Sequence, residues 1–190
     1  MWGIIVKIKV SELKKQLKQY DQKELVELIV EMFKNNKDVQ NFLSSKLLGD
    51  EAIEGLFTQA RKKVENEFFP DRGHGKLRLA EAKKEINVFK KTTNDQKRTV
   101  DLMLFYVEQG VEFTSSFGDI SEGFYTSMIK MFDQVAEECD RDEELYKAFS
   151  SRLDNVVSAA PEGWGFQDAL MDSYYTIEWV IEEEDEEDEE

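Results

Sequence analysis

Val100-Asp101-Leu102-Met103-Leu104-Phe105-Tyr106-Val107 is the stretch on which the fold turns. Wound as an α-helix, it puts apolar groups on nearly every side, and a helix apolar all round has to be surrounded by other elements. A sixth helix from about Asn94 to Ser115 is therefore expected to be central and the most buried of the chain. Working outward, apolar residues keep recurring at the three-then-four spacing that lines one helix face. Towards the N-terminus they are Leu79, Ala82, Ile86 and Phe89 in a fifth helix, and Ile53, Leu56, Phe57, Ala60, Val64 and Phe68 in a fourth that opens on Asp50. Val39, Phe42, Leu43 and Leu47 mark a third. The clearest stripe, Leu25, Leu28, Ile29, Met32 and Phe33, marks a second behind the capping-box pair Asp21 and Glu24. Val10, Leu13, Leu17 and Tyr20 mark a first.

Towards the C-terminus, Asp119 and Glu122 form another capping-box signature ahead of Phe124, Met128, Phe132, Val135 and Cys139. Asp140 with Glu143 opens an eighth helix carrying Leu145, Phe149, Leu153, Val156 and Val157. Leu170, Met171, Tyr174 and Tyr175 mark a ninth. The two prolines, Pro70 and Pro161, fall between these segments, where they stop a helix without interrupting one. The expected fold is all-α, about nine antiparallel helices in a bundle or a short solenoid of helical hairpins, with the stacked hairpins preferred. Residues 1–10 read as an extended arm, because Ile4, Val6, Ile8 and Val10 alternate as in a strand that has no second strand to pair with. Residues 11–181 form the helical domain. Residues 182–190, nine consecutive acids, form a tail expected to repel itself and stay solvated.

Charge is the strongest compositional signal. Acidic residues number 41 against 25 basic ones, for a net of −16. The imbalance is uneven: residues 1–60 hold nine of each sign, residues 61–98 twelve basic and six acidic, and residues 101–190 four basic and 26 acidic. Such a chain repels nucleic acid and anionic lipid at long range, so any phosphate contact belongs to the basic middle block. One cysteine rules out an internal disulfide framework, and the first ten residues lack the apolar core of a signal peptide. A cytoplasmic location is expected. No apolar run approaches the ~18 residues that a membrane span requires.

Three segments resemble the signature stretches of an uncharacterised bacterial domain-of-unknown-function family. They are Phe68-Phe69-Pro70 with Arg72-Gly73 and Gly75-Lys76; Asp101 to Glu108 through Phe117-Gly118-Asp119-Ile120; and Gly163-Trp164-Gly165-Phe166 with Asp168. The resemblance covers roughly Ser11 to Tyr175. It implies an all-helical fold and supplies no activity, cofactor or substrate. A fainter similarity to tetratricopeptide-like repeats rests on the hairpin rhythm alone, since their small-residue pattern is missing.

Residues able to do chemistry are scarce. His74 is the single histidine and sits between two glycines in a loop. Zinc and di-iron motifs, the P-loop, the dinucleotide fingerprint and the nucleophile elbow are all missing, so neither metal nor cofactor is expected. Cys139 lies on an apolar face and reads as a core residue. The loop with Arg72, Gly73, His74, Gly75, Lys76 and Arg78 has the outline of an anion or partner site: glycines let backbone N–H groups converge, a helix start adds positive potential, and the cations fork onto phosphate or carboxylate. The plainer alternative is that the glycines permit a turn while the cations pair internally. Trp164 and Phe166, with Asp168, offer an aromatic platform for a peptide or base, or else fasten the start of a helix to the core. The expected function is a non-catalytic adaptor or scaffold binding a protein or peptide. The alternative is an anion or nucleic-acid binder through residues 71–78 and the helix 79–91, shielded by the acidic tail.

Overall fold

A computed structural model of the chain describes residues 7–180. Residues 1–6 of the expected arm and the acidic tail 182–190 lie outside the described residues. Among those described, the fold is all-α: α1 (Val10–Leu17), α2 (Gln22–Asn35), α3 (Lys37–Leu47), α4 (Asp50–Phe68), α5 (Leu79–Thr93), α6 (Gln96–Phe117), α7 (Glu122–Asp140), α8 (Glu143–Ala159) and α9 (Phe166–Tyr174), with a 3₁₀ turn at Gly163–Gly165. These helices fall into two compact units, Met1–Gly49 and Asp50–Glu190.

In the first unit α2 and α3 form a hairpin. The Asp21 and Glu24 capping box closes as the spacing predicts, with the Asp21 side chain accepting from the Glu24 N–H at 2.9 Å and Glu24 accepting in return at 2.8 Å. Asn36 both ends α2 and caps α3, accepting from the N–H groups of Asp38 and Val39. Of the α2 stripe, Leu25 and Leu28 are half-buried while Ile29, Met32 and Phe33 are exposed. Ser45 is the one buried residue of these three helices.

The second unit is built around α6, where Leu102, Leu104, Tyr106 and Val107 are completely buried. Four helices, α4, α5, α7 and α8, pack against it, which is what apolar groups on every side demand. Gly110 lets α7 come close: a Cβ there would overlap the side chain of Met128. Ion pairs stitch the outer helices to α6. Arg152 of α8 donates from Nε and Nη2 to Glu108 (2.7 and 2.9 Å) and from Nη1 to Asp101 (2.8 Å), while Arg61 of α4 lies 3.6 Å above the Phe105 ring. A polar thread crosses the core, with Lys83 donating to Ser127 (2.9 Å), which is hydrogen-bonded to the buried Tyr106 hydroxyl (2.8 Å). Burial pushes the Tyr106 hydroxyl up to about 12.

Three expected caps are placed differently. Ser121 caps α7 in place of Asp119, and Asp142 caps α8 in place of Asp140. Asp50 begins α4 as a helical residue and pairs with Arg98 at 2.8 Å. The displaced carboxylates have other work. Asp119 accepts from two aromatic side chains, and Asp140 accepts from the N–H of Glu178, fastening the chain after α9. The unit thus has two ends. The α5–α6 and α7–α8 connectors and the chain after α9 meet at one, joined by Gln96 and Lys90 contacts to Glu138. The α4–α5 loop, the α6–α7 turn and the α8–α9 turn meet at the other.

Candidate functional site

The α4–α5 loop doubles back over the end of its own helix. Leu77 donates its N–H to the Glu67 carbonyl at 2.9 Å, and Gly75 presses on the Phe68 carbonyl so closely that any Cβ would overlap it. Gly73 supplies a left-handed turn (φ 82°), the conformation glycine adopts most easily. Beneath the loop lies Glu67, a buried carboxylate. Arg78 grips it with both Nε (3.0 Å) and Nη2 (2.7 Å), and the Arg78 backbone N–H at the start of α5 donates to the same group at 3.2 Å. The Arg78 side chain above all, opposed by desolvation, holds the Glu67 carboxyl below its usual range. A protein carboxylate therefore already stands at the helix start where an external anion was expected. Asp71 is engaged as well, by Lys62 at 2.9 Å. Arg72, His74 and Lys76 are exposed and make no ion pair among the described residues.

The same loop forms one wall of a groove of about 430 Å³. Its floor is Phe68 and Phe113; Phe69, Pro70, His74 and Leu77 stand on the loop side, and Phe117 and Ile120 on the α6–α7 side. The rings form a continuous ladder, with centroids 5.7 Å apart for Phe69 and Phe113 and 4.6 Å for Phe113 and Phe117. Phe117 is 62% exposed at the rim.

The second candidate loop adjoins the far side of that α6–α7 turn. Asp119, next to Ile120, accepts the indole N–H of Trp164 at 3.2 Å and the Tyr125 hydroxyl at 3.2 Å; Tyr125 is in turn hydrogen-bonded to Thr114 at 2.9 Å. Trp164 adopts a left-handed backbone (φ 59°) and is 74% exposed. Phe166 is completely buried and packs on Tyr125 with ring centroids 5.0 Å apart. Of the two aromatics, Trp164 alone presents its ring to solvent. Asp168 is exposed in the first turn of α9. The basic loop and the Trp164 loop thus flank one turn and share one end of the unit.

Four groove residues, Phe69, Phe113, Phe117 and Ile120, were not singled out from sequence as site residues. The signal was there in the Phe68-Phe69 doublet before Pro70 and in the i, i+4 pair Phe113 and Phe117 closing the central helix. Elsewhere, Cys139 is buried in α7, and burial pushes its thiol up to about 12. Among the described residues no three His, Cys, Asp or Glu side chains converge as a metal site. No helix of the described residues is long and apolar enough to cross a membrane.

Compared with known families, residues 8–173 match a family of unknown function (DUF6155). No curated protein and no solved structure matches the chain.

Proposed function

The chain belongs to this family of unknown function (DUF6155), and we propose that it is a non-catalytic interaction module whose Phe69 to Phe117 groove receives a short segment of a partner protein. The observation that carries this reading is the open aromatic ladder itself. Buried rings form its floor and Phe117 stands 62% exposed at its rim, and a concave apolar site with a few polar groups at its margin is a form that ligand sites commonly take. Arg72, His74 and Lys76 beside it give the partner its second feature, an acidic residue flanking an apolar anchor. Trp164, fixed on Asp119, supplies a rigid aromatic edge of the kind that dominates interface energetics. In this reading the module works in the cytoplasm.

Anion or nucleic-acid binding by the same loop is the second reading, favoured by Arg72 and Lys76, which make no ion pair among the described residues. Glu67 weighs against it, because its carboxylate takes both the Arg78 fork and the helix start. One selection separates the two. Peptides displayed from a random library are enriched on the full chain, counter-selected on Phe117→Asp, and compared with single-stranded RNA binding at low salt. The proposal expects peptides with an aromatic or leucine anchor beside Asp or Glu, lost on Phe117→Asp. Enrichment of nothing, with RNA retained through Arg72 and Lys76, overturns it.

A further inference from the structure

Helix α2 carries more apolar surface than its own unit covers. Seven of its 14 residues are apolar, and at 3.6 residues per turn they span roughly 200° of the circumference, about twice the stripe of a helix with one buried face. Leu25 and Leu28 are half-buried, whereas Val26, Ile29, Val30, Met32 and Phe33 are 39–52% exposed. Among the described residues, α1, α2 and α3 bury no apolar side chain. Helices of 8, 14 and 11 residues are too short to hold well without packing, so the open face of α2 calls for a cover.

We infer that the cover is α2 of a second copy of the chain, lying antiparallel across a two-fold axis between Ile29 and Val30. Three observations commit the face to this occupant. The first is symmetry. Val26, Ile29, Val30 and Phe33 are spaced evenly about that midpoint, so the two-fold sets Val26 against Phe33 of the partner subunit and Ile29 against the partner's Val30, small side chains facing large or equal ones in an isologous contact. The second is charge. The hairpin 21–47 carries four basic and five acidic residues in a chain of net −16. Two such chains approach most readily where each is neutral, and the hairpin has no charge excess with which to attract a strongly acidic or basic partner. The third is area. Five side chains exposing on the order of 100 Å² each amount to about 500 Å², near 60% of the ~800 Å² that each partner gives to a standard interface, which is the usual apolar share. The exposed Lys23, Glu27 and Lys34 border the stripe and supply its polar rim. The paired protein carries two Phe69 to Phe117 grooves, one from each copy.

Analytical ultracentrifugation of the full chain at micromolar concentration is the first arm of the test. The mass of two chains is expected, and added salt is expected to tighten the pairing, because it screens the repulsion between acidic bodies and spares the apolar contact. Val30→Glu keeps a good helix former at an exposed position. It is expected to raise the dissociation constant at least tenfold and to leave the amide signals of α6 and α7 in place, while Phe117→Asp leaves the pairing unchanged. The second arm reads orientation. Val26→Cys and Phe33→Cys chains, in which the native Cys139 is buried, are mixed and oxidised; the mixed disulfide is expected to form at least tenfold faster than either symmetric one. A dimer that Val30→Glu leaves as tight, a dimer lost on Phe117→Asp, or symmetric disulfides that keep pace with the mixed one overturns the inference. A monomer at every concentration overturns it too. Thiols at positions 26 and 33 that then resist alkylation mark the chain's own second unit as the cover, and thiols that react freely leave the face to a protein of another kind.

Discussion

Asp119 accepts the indole N–H of Trp164 at 3.2 Å and thereby ties the α8–α9 turn to the α6–α7 turn. The tryptophan sits at φ 59° with most of its ring in water. A non-glycine residue in that conformation costs of the order of 1 kcal/mol, and burial does not compensate for it here. The indole hydrogen bond to Asp119 holds it in that conformation. Replacing Trp164 by glycine is expected to leave thermal stability roughly unchanged, because relief of the left-handed backbone offsets the lost hydrogen bond to Asp119. The same change is expected to weaken binding of a selected peptide by roughly tenfold or more, the usual effect of removing an aromatic anchor. Differential scanning fluorimetry and a binding isotherm check the two halves separately.

Phe117→Asp separates recognition from folding in a second way. The ring is largely exposed, so the melting temperature is expected to move little, whereas placing a charge in the groove weakens peptide binding by about a hundredfold. Unchanged affinity would show that the groove is not where the peptide sits.

Glu67 makes the acid limb of the stability curve informative. Its folded pKa lies below the ordinary glutamate value of 4.5. Its contribution is therefore complete above the unfolded value and is lost as pH falls through the folded one. Glu67→Gln is expected to lower stability at neutral pH by about 1–3 kcal/mol, the cost of breaking charge-assisted hydrogen bonds at a buried group. It also flattens the decline below pH 4.5. Urea unfolding at a series of pH values reads both effects.

Two glycines make a graded pair. Gly110→Ala meets the flexible side chain of Met128 and is expected to cost ~1–3 kcal/mol, with less than additive loss when Met128 is shortened to alanine. Gly75→Ala meets the Phe68 carbonyl, which cannot yield by rotating. The loop has to lift, taking Arg78 off Glu67, so this variant should lose more stability than Gly110→Ala and most of its peptide binding. Equal effects of the two would contradict the close approach at Gly75.

Cys139 is expected to be inert in the folded chain. With its thiol pushed up to about 12 and no exposed surface, its reaction with a disulfide reagent at pH 8 should run at least about a hundredfold slower than in the denatured chain. Fast reaction in native buffer would count against the packing of α7.

The central helix was legible because seven of the eight residues from Val100 to Val107 carry apolar groups around the whole circumference, and all seven are buried. The α2 stripe was equally legible as a helix, yet Ile29, Met32 and Phe33 are exposed, since periodicity reports a face and says nothing about what covers it. Capping was readable where the acid had no competing partner, as at Asp21. It was misread at Asp119 and Asp140, which are claimed by residues 45 and 38 positions away. Arg78 reads from sequence as one more loop cation, because its partner Glu67 lies a helix end and a reversed loop away. The groove stayed hidden for the same reason: Phe69 and Phe117 come from different helix ends, and no local spacing joins them.

Intermolecular nuclear Overhauser effects between a selected peptide and side-chain-labelled full-length protein test the account most directly. The groove reading predicts contacts from the peptide's apolar anchor to Phe117, Ile120 and Phe69, and from its flank to Trp164. Contacts confined to the exposed α2 residues Ile29, Met32 and Phe33, with none to Phe117 or Ile120, would contradict it.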